Sequence, residues 1–164
     1  MLKTPTFSLL EALNWKDYEL LDSGDGLKLE RFGDFVFVRP ESQAMWRRAL
    51  PQKGWDAAHA VFQPTPEESG GHWIEKKKIP DKWEMSYPLR NIGNLRFEVM
   101  TTPGRHLGVF PEVASHWDFI ADAVQKADSR PNILNLFGYT GLASLAAAAA
   151  GGQVTHVDAS KKSV

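Results

Sequence analysis

The chain has 164 residues, 19 Lys plus Arg against 20 Asp plus Glu, a formal charge of −1, 43% hydrophobic residues and no cysteine. That length buries a real core without staples and accommodates one to two small domains. The missing thiol excludes disulfide frameworks, thiolate zinc sites and cysteine nucleophiles from these residues, and it fits a reducing cytoplasm. The opening stretch, 1–15, carries one Lys and no long apolar run, so it reads as neither a signal peptide nor a spanning helix, and no membrane role is expected. Charge is even along the chain: residues 1–90 hold 13 basic and 14 acidic side chains, residues 91–164 hold 6 of each.

Residues 27–31 and 34–38 flank Phe32 and Gly33 and predict a β-hairpin turning at the glycine, with Arg39 and Pro40 closing its second strand. Residues 41–50, with Ala44, Met45, Trp46 and Ala49 available to pack, predict a short helix ended by Pro51. Strands are expected at 57–62 and 72–77, joined by the polar loop 63–71. Five of the six tryptophans (Trp15, Trp46, Trp55, Trp73, Trp83) lie before residue 90, and this first unit, 1–90, reads as a small β-rich α+β domain. Its basic run, Lys76, Lys77 and Lys78, is interleaved with Trp73 and Trp83, a composition able to grip phosphates and stack bases. Glu75, Asp81 and Glu84 sit among those lysines and favour a solvated hairpin edge blunted by Lys.

The second unit, 91–164, opens with a strand at 95–99, where apolar and charged residues alternate strictly. A turn at Thr102, Pro103 and Gly104 follows. From Pro111 the period becomes helical: Val113, Trp117, Ile120 and Val124 share one stripe, with Pro111 and Glu112 suited to the first turn and Arg130–Pro131 as a stop. Residues 132–136 form a short apolar run that predicts a strand buried on both faces of a parallel sheet. A loop, 137–141, leads into a helical run, 142–150, that Gly151 and Gly152 cap; a second strand, 153–158, ends in Asp158. Residues 132–158 thus spell a βαβ unit, and the fold class is α/β.

A parallel βαβ unit places its ligand at the carboxyl ends of the strands. Here Gly138, Gly141 and Asp158 would line that crevice, the carboxylate lying 20 residues past the first glycine, where it can accept both hydroxyl hydrogens of a ribose. An adenosine-type ligand follows. A dinucleotide site needs G-x-G-x-x-G, and this loop has only Gly138-Tyr139-Thr140-Gly141, with bulky Phe137 and Tyr139 where close approach would be wanted. The five histidines, His59, His72, His106, His116 and His156, lack metal-site spacing and read as structural.

Residues 133–141, followed by Val157, Asp158, Ala159 and Ser160, resemble the first two motifs of class I S-adenosylmethionine-dependent methyltransferases. The likeness is strongest to the branch that includes the cytosine-C5 methyltransferases of bacterial large-subunit ribosomal RNA, and it extends to residues 21–33, to Arg39 and Pro40, and to residues 108–112 with Trp117. The resemblance implies that Phe137, Gly138, Tyr139, Thr140 and Gly141 wrap the methionine part of S-adenosylmethionine. It further implies that Asp158 holds the ribose hydroxyls, Ala159 and Ser160 lie beside the adenine, and Phe110 and Glu112 approach from the side. By the same resemblance, residues 1–90 present an RNA substrate and residues 91–164 begin a Rossmann-like cofactor domain.

The family's later Asn/Asp-Pro-Pro-aromatic motif has no counterpart, because no Pro-Pro dipeptide occurs in the chain. The sequence therefore reads as the truncated, N-terminal portion of a methyltransferase, unable to turn over by itself, with no catalytic residue assigned. Two alternatives are carried forward: a nucleic-acid-binding module without catalysis, and a nicotinamide-linked oxidoreductase.

Overall fold

The computed structural model describes residues 9–12, 14–66 and 70–161. The N-terminal part is a five-stranded sheet of β1 (Tyr18–Gly24), β2 (Leu27–Phe32), β3 (Phe35–Pro40), β4 (Ala60–Pro64) and β5 (Gly71–Glu75), in that spatial order. The predicted hairpin is β2–β3, paired from Leu27↔Pro40 to Phe32↔Phe35 and turned by Gly33 at φ 61°. β3 and β4 run parallel, whereas β4 and β5 pair antiparallel around the polar loop, whose residues 67–69 lie outside the described residues.

The helix expected over 41–50 does not form. Residues 41–50 are turns and bends, and the short helix α1 (Gln52–Asp56) lies beyond Pro51, which stands at its N-cap with φ −66°. The reason is competition for backbone groups. The carbonyls of Ala44 and Trp46 accept the N–H groups of Gly26 and Asp25 in the β1–β2 turn. The Asp22 carboxylate takes the N–H groups of Ala49 (3.2 Å) and Leu50 (2.8 Å) together with the Trp55 indole N–H (2.9 Å). Burial pushes the Asp22 pKa up, but these donors, with the Ser23 N–H, outweigh it and leave the carboxyl below its usual range.

β6 (Trp83–Leu89) and β7 (Gly93–Val99) form an antiparallel hairpin that straddles residue 90. After a 3-10 turn, Pro111–Val113, the helix α2 (Ala114–Gln125) buries Ala114, Trp117, Ala121 and Val124, whereas Val113 and Ile120 of the expected stripe are only half-buried. β8 (Asn132–Leu136), α3 (Leu142–Ala149) and β9 (Gln153–Val157) complete the βαβ unit, with β8 and β9 parallel and in register from Asn132↔Gln153 to Leu136↔Val157. β8 was expected to be covered on both faces, yet Leu134 is 61% and Leu136 54% exposed. Among the described residues α3 covers only the face that carries Ile133, Asn135, Val154 and His156, so the alternate side chains meet solvent.

One core joins these parts. Phe32 and Phe37 of the first sheet, Trp83, Met85 and Tyr87 of β6, Trp117 of α2 and Leu142 and Ala146 of α3 pack in a single buried cluster. Phe37 stacks on Trp83 at 5.6 Å and 9°, and Trp15 meets Trp117 edge-on at 5.5 Å. Truncating a ring as buried as Trp117 costs about 3–5 kcal/mol. The same packing settles the aromatic neighbours of the lysine run: the Trp83 ring is core, and Trp73 is half-buried with its indole N–H bonded to the carbonyls of Thr102 and Gly104. Lys76, Lys77 and Lys78 are exposed just beyond β5, without those rings beside them at the surface.

Candidate functional site

β8 ends at Leu136 and the chain turns through 137–141 into α3. Three residues of the turn are left-handed: Phe137 (φ 57°), Tyr139 (φ 52°) and Gly141 (φ 93°). For the two aromatics that conformation costs on the order of 1–3 kcal/mol each, strain of the kind that concentrates at binding sites. The turn is held from three sides. Its own bonds run from Gly141 N–H to the Gly138 carbonyl (2.9 Å), and the Gly138 N–H reaches the Val157 carbonyl at the end of β9 (3.0 Å). The Thr140 hydroxyl donates to the Gly108 carbonyl (2.6 Å), tying the turn to the segment before α2.

Asp158 closes the third side. Its Oδ2 accepts the Tyr139 N–H at 2.8 Å and its Oδ1 accepts the Ser160 N–H at 2.7 Å. The Ser160 and Tyr139 amides hold the carboxyl below the usual carboxylate range, so it is ionised at neutral pH and faces the turn. Each oxygen retains acceptor capacity beyond these bonds. That is the donor–acceptor set a vicinal diol needs.

The Phe110 ring lies 4.7 Å from the Tyr139 ring and 4.5 Å from the His106 ring, forming an aromatic wall beside the turn. Burial, then the charges of Arg39, Arg105 and Lys28, push the His106 imidazole down to about 4, so it stands neutral in that wall. Thus the structure brings Phe110, Gly138, Tyr139, Thr140, Gly141, Asp158 and Ser160 together. Ala159 follows Asp158 and is exposed; Glu112 sits exposed on the 3-10 turn; Phe137 is 89% exposed, with no ring contact among the described residues.

Gly138 has a reason that sequence reading did not supply. A Cβ there would overlap Cε1 and Nδ1 of His156, whose ring lies under the turn. His156 Nδ1 is 3.0 Å from Ser144 Oγ, which accepts the Asn135 side-chain N–H at 2.9 Å. These three polar residues form a network beneath the turn that positions it. Its signal was present as polar residues at the inward, alternating positions of two apolar strands, Asn135 and His156, with Ser144 one turn into α3.

Comparison with protein-family models finds no match, and comparison with curated proteins finds none. Solved structures do match. A SAM-dependent methyltransferase from Agrobacterium tumefaciens superposes with a TM-score of 0.82 at 47% identity, over 92% of this chain and 46% of that one. A proposed SAM-dependent methyltransferase from Streptococcus mutans (TM-score 0.60, 20% identity) covers 90% of this chain and 40% of its own. A further proposed methyltransferase, solved in complex with SAH, matches with a TM-score of 0.60 at 19% identity, over 90% of this chain and 39% of its own.

The architecture is therefore that of the class I S-adenosylmethionine-dependent methyltransferases, the α/β fold the sequence motifs implied. This particular chain spans 39% to 46% of the length of the solved chains it matches. Among the described residues no helix is long and apolar enough to cross a membrane.

Proposed function

We propose that this chain is the S-adenosylmethionine-binding portion of a cytoplasmic methyltransferase that acts on RNA. The observation that carries the reading is Asp158, ionised, pinned by two backbone amides and facing a strained aromatic turn at the carboxyl ends of two parallel strands. When bound, the cofactor supplies a methyl group on a sulfonium sulfur. The protein's part is binding and orientation. Asp158 accepts the ribose hydroxyls. The backbone of 138–141 follows the methionine portion, and the electron-rich faces of Tyr139 and Phe110 suit a nearby cation. Ala159 and Ser160 border the adenine, and Phe137 and Glu112 lie at the rim.

The nicotinamide alternative loses ground on the same geometry. The loop lacks the third glycine of a dinucleotide fingerprint, and Gly138 is bare because the His156 ring lies where its Cβ would stand, not because a pyrophosphate must approach it. Titration calorimetry with S-adenosylhomocysteine and with NADH separates the two: micromolar binding of the former alone supports the proposal, and binding of NADH alone refutes it.

An RNA partner rests on the N-terminal sheet, though on different residues from those the sequence put forward. Trp46 is 56% and Met45 85% exposed on a loop clamped to the β1–β2 turn, and the indole N–H is used internally, bonded to the Ser23 carbonyl at 2.9 Å. Arg47 beside it is exposed and makes no ion pair among the described residues. A fixed ring with only its face to offer, next to a free guanidinium, suits stacking on an unpaired base. Salt-dependent binding of single-stranded RNA that is lost in Trp46→Ala supports this assignment, and unchanged binding rejects it.

A further inference from the structure

Glu30 on β2 and Arg39 on β3 are 0% and 2% exposed, the most deeply buried charges among the described residues. They form a two-pronged pair: Arg39 Nε donates to Glu30 Oε2 at 2.7 Å and Arg39 NH2 to Oε1 at 2.8 Å. The Tyr18 hydroxyl donates to the same Oε1 at 2.9 Å. A buried pair of this kind gives little stability over well-packed apolar residues, so its presence calls for another reason. The remaining nitrogen of the fork points to one. Arg39 NH1 donates to the carbonyl of Arg105, 66 residues along the chain, at 3.2 Å. Arg105 opens the segment whose Gly108 carbonyl holds Thr140 and whose Phe110 ring lies on Tyr139.

We propose that Glu30 and Arg39 are positioning residues for the turn 137–141: Glu30 orients the guanidinium, the guanidinium fixes the Arg105 carbonyl, and segment 105–110 transmits that placement to Tyr139 and Thr140. The N-terminal sheet thereby sets the shape of the cofactor site. The inference rests on the cofactor reading above, and its test is built so that the two fail separately.

The paired replacement Glu30→Leu with Arg39→Met, made in the full chain on a Tyr18→Phe background so that no buried hydroxyl loses its acceptor, removes both charges without leaving either orphaned, and so keeps the fold while losing the bond to Arg105. S-adenosylhomocysteine should then bind about 5- to 10-fold more weakly by calorimetry. Amide exchange should quicken in 105–110 and 137–141 and stay unchanged in β8 and β9. Combined with Thr140→Val, the loss of affinity should be less than additive, since both changes act through one segment. Should the paired replacement not fold, Arg39→Lys carries the test: it keeps a cation opposite Glu30 but cannot fork to Arg105, and the same loss of affinity and the same pattern of amide exchange must appear. Unchanged affinity and unchanged exchange at the turn, or strict additivity with Thr140→Val, overturns the proposal. If the unsubstituted protein fails to bind S-adenosylhomocysteine, the cofactor reading falls, and the exchange arm alone decides whether the pair orders the turn.

Discussion

Replacing Gly138 with Ala places a methyl group where the His156 ring already lies. The new Cβ would overlap Cε1 and Nδ1 and stand 3.0 Å from Nε2. The ring has no easy retreat, because Ser144 holds its Nδ1 at 3.0 Å and Ser144 is itself held by Asn135 at 2.9 Å. Overpacking of this sort costs about 1–3 kcal/mol, and swinging the imidazole clear forfeits about 1 kcal/mol for the Ser144 bond. A net loss of about 2–4 kcal/mol lowers the melting temperature by about 4–16 °C in a chain of this size.

Thermal unfolding followed by circular dichroism measures that loss, and the companion variant His156→Ala identifies its source. With the imidazole gone the added methyl has room, so Gly138→Ala in the His156→Ala background should cost about 1–2 kcal/mol less than in the native one. The alternative is that Gly138 is bare only so that a ligand can approach. Gly138→Ala would then leave the free protein's melting temperature untouched and weaken S-adenosylhomocysteine binding alone. That outcome, or a double variant whose effects simply add, refutes the steric argument.

Asp158→Ala should weaken S-adenosylhomocysteine binding about tenfold or more in calorimetry, since it deletes the proposed acceptor for the ribose hydroxyls, with equal affinity counting against the role. Because the Asp158 pKa is held down by the Ser160 and Tyr139 amides, the turn should stay ordered above the usual carboxylate range and loosen only as pH falls below it, read as faster Tyr139 amide exchange in acid. His106 acts in a higher window. Its folded pKa of about 4 lies below the ordinary 6.5, so the stability it contributes is complete above pH 6.5 and drains as pH falls toward 4; His106→Phe should flatten that part of a urea-unfolding series between pH 7.5 and 5, and an unaltered slope would count against it. Trp117→Ala should lower stability by about 3–5 kcal/mol in the same assay.

Much of the chain's architecture is legible from period and punctuation. The β2–β3 hairpin, the α2 helix and the βαβ unit follow from alternation, from spacing at three and four residues, and from Gly and Pro at the ends. What misleads is long-range competition for hydrogen bonds. Residues 41–50 have helical composition, yet their carbonyls and amides are claimed by the β1–β2 turn and by Asp22, more than 20 residues earlier. No local window contains those partners. β1 escapes for a related reason: Leu21 and Asp22 interrupt its register with a bulge, and the strand shows no clean alternation.

The site divides along the same line. Gly141 and Asp158 are readable because backbone conformation and strand-end position dictate them, and the carboxylate does face the turn. Gly138 is readable as a glycine but not for its reason, which depends on a side chain 18 residues later on the neighbouring strand. Arg39 is the extreme case. In sequence it closes a hairpin; in space it ties that hairpin to the segment whose next few residues hold Tyr139 and Thr140. The candidate site is therefore not confined to the βαβ unit at its centre. Its strained turn carries two left-handed aromatic residues, and what over-determines them includes a hydroxyl bond and an aromatic contact from segment 105–110, itself anchored in the N-terminal sheet. Cutting the chain between β7 and α2 should accordingly leave a βαβ unit that keeps its strands but loses the ordered turn.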